Sequence, residues 1–179
     1  MTDREIMEYD VIIVGAGPAG LSCAIRLKQK KPDLMVAVIE KSSEIGAHIL
    51  SGAVIEPEPL DELLPGWRDN PPSICLPVER DEIWLLSQKG RRRLPTPPQQ
   101  KNHGNFIVSL GAMCAWMAEK AEALEVDIFP GYAASEIRYT EEDAVGGVII
   151  GDMGIGRDGQ PKDTYMQGIE IHAPFTVLA

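Results

Sequence analysis

Three glycines, Gly15, Gly17 and Gly20, sit in the run VIIVGAGPAG, and an acid, Glu40, closes the next apolar run, MVAVIE. Glycine in the first place permits a tight turn. In the second it lets a phosphate reach bare backbone, and in the third it lets a helix pack closely on a strand. Pro18 suits the first turn of a helix, where its missing N–H is no loss. A helix starting there offers free N–H groups and a positive dipole end to an anion. Glu40 stands 20 residues beyond Gly20, where a carboxylate accepts hydrogen bonds from ribose hydroxyls. The same carboxylate repels a 2′-phosphate, which disfavours NADP. GxGxxG alone is a weak signal. A preceding strand, a following helix and an acid at this distance are the context that makes it specific.

NAD and FAD both fit such a turn, and the stretch EIGAHILSGAVIEP, residues 44–57, arbitrates. It is dominated by small residues and does not read as a regular helix or strand. A loop of this kind can run along an extended cofactor and bring bare backbone against a flat ring. FAD is the longer, flatter ligand, so the sequence favours FAD. His48 either faces the ring or bonds the loop to itself.

The elements that must hold these residues follow from periodicity. Asp10 to Val14 and Met35 to Glu40 read as strands buried on both faces. Between them, Leu21, Ala24, Ile25 and Lys28 keep helical spacing until Pro32 and Asp33. The result is a βαβ unit with parallel strands. Pro57 to Pro72 is proline-rich with a helical island, PLDELLPGW. Ile74 to Gly90 reads as strand material ending in a hairpin-like SQKGRRRL, and Pro95 to Asn105 as loop. Ser109 to Leu124 is the clearest helix, with Leu110, Met113, Cys114, Met117, Ala118, Ala121 and Leu124 on one stripe and Ser109 as N-cap. Strands are expected at Val126–Phe129, Ala133–Tyr139, Ala144–Asp152, Gly168–His172 and Phe175–Ala179, with turns at EEDA and GRDGQP. The chain divides into the βαβ unit (9–41), a loop with a short amphipathic helix (44–68), a β-rich insertion (74–101), and a helix with strands (106–179).

A net charge of −10 argues against nucleic acid as a partner. Arg91, Arg92 and Arg93 form the one local basic patch and read as a solvated turn after Gly90. Cys23, Cys75 and Cys114 match no metal-ligand spacing and read as structural thiols in a reducing compartment. No apolar run approaches the length of a membrane span. The segment MTDREIMEYD has neither the apolar core of a secretory signal nor the arginines of a transit peptide.

The stretches VGAGPAGLSCAIRL, GAHILSGAVIEP, NHGNFIVSLGAMCAWMAEKAEALEVDIFPGYAASEI and GGVIIGDMGIGRDGQPKDTY together resemble the electron transfer flavoprotein–ubiquinone oxidoreductase family. GAHILSGAV and NHGNFIVSLG are the specific parts of that resemblance. It implies an α/β, Rossmann-like FAD-binding domain of the glutathione-reductase type with an inserted β-rich segment, truncated here. It implies electron transfer from reduced electron transfer flavoprotein to ubiquinone, with FAD and one [4Fe–4S] cluster. The cluster cysteines and quinone pocket fall in the part this chain lacks, so the chain reads as an N-terminal, FAD-binding fragment, inactive alone. Carried over by position, Gly15, Gly17, Pro18, Ala19 and Gly20 form the pyrophosphate turn, Glu40 is the ribose acid and Lys41 flanks the adenosine. Gly46, His48, Leu50, Ser51, Gly52 and Ala53 form the flavin-side loop. The resemblance further implies a peripheral protein on the cytoplasmic side of a bacterial inner membrane. Leu60, Leu63, Leu64 and Trp67 read either as its membrane-facing stripe or as core. Rival readings are a flavin monooxygenase or prenyl reductase on the same scaffold, or a catalytically incompetent FAD-binding fragment.

Overall fold

A computed structural model of the chain describes residues 4–156 and 158–179. They divide into two compact units, Met1–Ile49 with Cys114–Ala179, and Leu50–Met113.

In the first unit, β1 (Ile6–Glu8) and β2 (Val11–Val14) lead into α1 (Pro18–Lys30), which is followed by β3 (Val36–Glu40). Gly17 is the N-cap with extended backbone, and Pro18 takes the first helical position as expected. Past its end the buried Lys28 ammonium donates to the carbonyls of Pro32, at 2.6 Å, and Leu34, at 3.0 Å. A cation there meets the negative end of the helix dipole and ties down carbonyls the helix leaves free.

The second unit holds β4 (Ala53–Ile55), α2 (Glu58–Leu63), β5 (Cys75–Pro77), the strands β6 (Ile83–Ser87) and β7 (Gly90–Leu94), and β8 (Phe106–Val108). β4 and β5 both pair antiparallel with β8. β6 and β7 form a separate hairpin, so Arg91, Arg92 and Arg93 lie on an exposed strand and not in the turn expected of them. Ala53–Ile55 is likewise a strand where the sequence suggested only loop, because β8, far along the chain, supplies a hydrogen-bonded partner, Ala53 pairing with Val108. α3 (Leu110–Glu122) follows, with the Ser109 hydroxyl accepting from the Ala112 amide at 3.4 Å. That is the expected N-cap.

The chain then returns to the first unit through β9 (Asp127–Pro130), β10 (Ala134–Tyr139), β11 (Val145–Ile150), β12 (Met153–Ile155), β13 (Pro161–Met166), β14 (Glu170–His172) and β15 (Phe175–Leu178). β12 and β13 pair as a hairpin around the expected GRDGQP turn, of which Arg157 lies outside the described residues. The expected parallel pairing of β2 and β3 is present, and β15 and β9 extend that sheet in the order β15-β2-β3-β9. β1, β14, β11 and β10 make a second, mixed sheet.

The central strands β2 and β3 of the parallel sheet are buried on both faces, which explains why they read as unbroken apolar runs. Ile12, Ala37 and Ile39 share one core with Val148, Ile150 and Ile171 of the mixed sheet. The alternate residue Ile13 points the other way, toward Gly20 of α1. Tyr9 closes the edge of this core by donating to Asp127 at 2.9 Å. Burial and the Asp127 carboxylate push its phenol up to about 12, so it remains a donor across the physiological range.

A Cβ on Gly20 would overlap the Gly15 carbonyl oxygen and come within 3.2 Å of Ile13 Cγ2. Backbone cannot swing aside as a flexible side chain can. Gly20→Ala is therefore expected to lose about 2–3 kcal/mol of stability in a denaturant titration. An unchanged midpoint would mean that α1 does not sit this close to the turn.

Candidate active site

The parallel strands deliver their carboxyl ends to one cavity of about 410 Å³. Gly15, Ala16 and Gly17 line it from the turn after β2, and Ile39, Glu40 and Lys41 from the exit of β3. The loop after β3 contributes Gly46, His48 and Ile49, and the β9–β10 connection contributes Tyr132, Ala133 and Ala134. The carboxyl ends of parallel strands are where open α/β sheets bind ligands. A larger open cavity of about 540 Å³ lies at the other ends of the same strands, beside Asp10 and Met35, and has no glycine turn.

The turn has the geometry its sequence requires. Gly15 has φ +111°, and a Cβ there would overlap the Ala179 carbonyl oxygen. Its amide donates to the Ile39 carbonyl at 2.8 Å, which binds the turn to β3. Gly17 has nothing within 4 Å of where a Cβ would stand. That open space faces the first turn of α1 and suits an anion approaching free backbone N–H groups.

Glu40 accepts the Ala16 amide on Oε2 at 3.0 Å and the Ser42 amide on Oε1 at 2.9 Å. Two donors do not exhaust a carboxylate, which has about four lone-pair directions, so ligand hydroxyls can still be accepted. Cys114 of α3 is fully buried nearby. Burial first, then the Glu40 charge, push its thiol up to about 11, which makes it an inert apolar filler and no nucleophile. Burial also raises the Cys23 and Cys75 thiols. Among the described residues no group of three or more His, Cys, Asp or Glu could hold a metal ion.

Of the residues expected at the site, the structure brings Gly15, Gly17, Glu40, Lys41, Gly46 and His48 together. Pro18, Ala19 and Gly20 do not line the cavity; they form the first turn of α1 behind it. Leu50, Ser51, Gly52 and Ala53 belong to the second unit, where Leu50 is exposed and Ala53 opens β4. The β9–β10 wall was not expected. Its signal was available, however: PGYAAS is a small-residue turn at the end of a third parallel strand, with Gly131 at φ +84°.

The apolar stripe after Pro57 resolves as core. Leu60, Leu63 and Trp67 are buried. Trp67 Nε1 donates to Asp61 at 2.6 Å, and its ring packs edge-on against Phe106 at 5.2 Å. Of the two readings of this stripe, core is the one that Leu60, Leu63 and Trp67 take, because an indole so engaged has no free face for lipid; Leu64 is half-buried. Among the described residues no helix is long and apolar enough to cross a membrane.

The Thi4 family model matches residues 2–57, the span that holds the glycine turn and Glu40. The mitochondrial electron transfer flavoprotein–ubiquinone oxidoreductase of Oryza sativa subsp. japonica is 51% identical over 180 residues, covering 98% of this chain and 31% of the relative. A probable electron transfer flavoprotein–ubiquinone oxidoreductase of Acinetobacter baylyi is 48% identical, covering 99% of this chain and 33% of the relative. The chain is similar to one segment of these oxidoreductases along nearly its full length. It spans about a third of the length of the curated relatives it matches.

Solved structures show the fold alone. A geranylgeranyl bacteriochlorophyll reductase-like protein from Thermoplasma acidophilum superimposes with a TM-score of 0.64 at 18% identity, covering 97% of this chain and 39% of that one. A flavin-dependent monooxygenase solved with FAD and substrate gives 0.66 at 16% identity, covering 95% and 30%. The mixed α/β, Rossmann-like architecture is thus that of FAD-dependent flavoproteins. The likeness to electron transfer flavoprotein–ubiquinone oxidoreductases is of another order, at 44–51% identity.

Because the space at Gly17 is open, Gly17→Ala is expected to leave the unfolding midpoint within about 0.5 kcal/mol of wild type, the range of substitutions that touch nothing. It should nevertheless weaken dinucleotide binding, measured by titration. Loss of stability without loss of binding would remove Gly17 from the site.

Proposed function

We propose that this chain forms the FAD-binding part of a longer oxidoreductase that passes electrons from reduced electron transfer flavoprotein to ubiquinone. One observation carries the reading: the glycine turn, the start of α1 and the Glu40 carboxylate meet at a single cavity, in a chain about half identical to oxidoreductases of that name. The residues present fit the cofactor. Gly15, Ala16 and Gly17, with the first turn of α1, are shaped for its pyrophosphate, Glu40 for the ribose and Lys41 for the adenosine side. Gly46 and His48 are assigned to the flavin side, joined by Leu50, Ser51, Gly52 and Ala53 on sequence grounds alone. When bound, the flavin supplies the redox chemistry, and the protein's part is to hold it, orient it and set its electrostatic surroundings. The [4Fe–4S] cluster implied by the resemblance is assigned to the remaining length of the full protein.

A flavin monooxygenase or a prenyl reductase on the same scaffold is the rival reading. The 16–18% identity of such neighbours disfavours it beside the 51% identity of the rice oxidoreductase. The full-length, FAD-loaded protein should have its flavin bleached by reduced electron transfer flavoprotein and not by NADPH. Bleaching by NADPH alone would favour the rival. The segment by itself should retain flavin absorbance after gel filtration but show no quinone reduction.

For the membrane, the support lies in the hairpin of β6 and β7. Leu85 is 58% and Leu86 74% exposed. They sit opposite Arg92 and Arg91, and Trp84 sits opposite Arg93. The Arg91 guanidinium lies 4.8 Å above the Trp84 ring. Exposed leucines, an amphipathic tryptophan and interleaved arginines suit an anionic interface, where long cationic side chains keep their heads at the lipid phosphates. Replacing Leu85 and Leu86 by Asp should weaken co-flotation with phosphatidylglycerol-containing vesicles about tenfold or more, given the apolar area withdrawn. Unchanged flotation would exclude the hairpin as the contact.

A further inference from the structure

Ser42 does not line the cavity, yet it is 97% buried beside it and its backbone is engaged on both sides. Its N–H donates to Glu40 Oε1 at 2.9 Å, and its carbonyl accepts the Gly131 amide at 2.8 Å. Glu40 Oε2 in turn accepts the Ala16 amide at 3.0 Å. One chain of hydrogen bonds therefore runs Ala16, Glu40, Ser42, Gly131. It joins the phosphate turn, the exit of β3 and the β9–β10 connection, the three loops that wall the cavity. Ala16 stands on one wall, and Tyr132, Ala133 and Ala134 stand just past Gly131 on another.

A carboxylate on a flexible side chain has no fixed position of its own. Two backbone donors on separate loops, each bound to a different oxygen, fix its rotamer, and charge-assisted bonds of this kind are among the stronger ones. We propose that Ser42 is a positioning residue for the dinucleotide, its amide and carbonyl locking Glu40 and the β9–β10 wall into register before the ligand arrives. This rests on the FAD reading above. A site organised in advance loses less entropy on binding, and the gain appears as affinity.

The test substitutes the backbone donor while leaving every lining side chain in place. Ser42→Pro removes the N–H. In the full chain it should weaken FAD binding about tenfold, the loss expected for one hydrogen bond to a charged group. Ser42→Ala keeps both backbone groups and should restore affinity to within about threefold of wild type, the range of a substitution that keeps the contact. In the ligand-free protein, hydrogen exchange at the Ala16 and Gly131 amides should accelerate in Ser42→Pro while the amides of β2 stay protected. If Ser42→Pro does not fold, Glu40→Gln gives the same exchange test at Ala16 and Ser42. A folded Ser42→Pro with unchanged affinity, or unchanged exchange at Ala16 in the variant tested, overturns the proposal. If wild type binds no FAD, the cofactor reading fails while the exchange measurement still decides the coupling.

Discussion

The arrangement of the first unit depends on the close approach of α1 to the turn after β2. Gly20 brings the helix so near the Gly15 carbonyl that no side chain fits between them. Gly15 has the positive φ that lets the strand turn into the helix within three residues. The consequence is electrostatic as well as steric. The first turn of α1 carries unpaired N–H groups, and this packing aims them past the end of β2, where Ile39, Glu40 and the β9–β10 connection complete a cavity.

An acidic chain holding an anionic ligand is not a contradiction on this scale. The net charge of −10 is spread over the molecule, and at physiological ionic strength exposed charges are screened beyond about 8 Å. A phosphate at the turn senses the adjacent amides and helix dipole far more than distant carboxylates. Glu40, the nearest acid that lines the cavity, has its charge partly engaged by the Ala16 and Ser42 amides. One cation, Lys41, lines the cavity beside Glu40, while Arg91, Arg92 and Arg93 fall together on the exposed β7 strand, with Arg93 bound to Glu82 at 3.5 Å.

What the sequence made legible was whatever depended on neighbours a few residues apart. The apolar runs of β2 and β3, the helical stripes of α1 and α3, the Pro18 start and the Ser109 cap all rest on local rules, and all are present. Short strands set by distant partners were legible only in part: β14 and β15 were expected, while β4 and β8 were not. β4 exists because β8 pairs with it, and neither run is long enough to show alternation. The stripe of Leu60, Leu63 and Trp67 was ambiguous for a different reason. Helical spacing identifies an apolar face but not what covers it, and the Asp61 and Phe106 contacts of Trp67 decide for core. The β9–β10 wall of the site offers mainly backbone, alanines and one tyrosine, Tyr132, so its only local signal is the small-residue turn PGYAAS, which carries no chemistry by itself.

Fold and function separate cleanly here. The same architecture, superimposing at TM-scores of 0.64 and 0.66, carries a prenyl-reductase-like protein and a monooxygenase at 16–18% identity. In this chain the nucleotide turn itself demands the close packing at Gly15 and Gly20, which brings the N-terminus of α1 up to the end of β2. The GAHILSGAV loop, the NHGNFIVSLG stretch and the β6–β7 hairpin are under no such obligation from the nucleotide turn. Identity of 51% over 98% of the chain therefore speaks to more than dinucleotide binding.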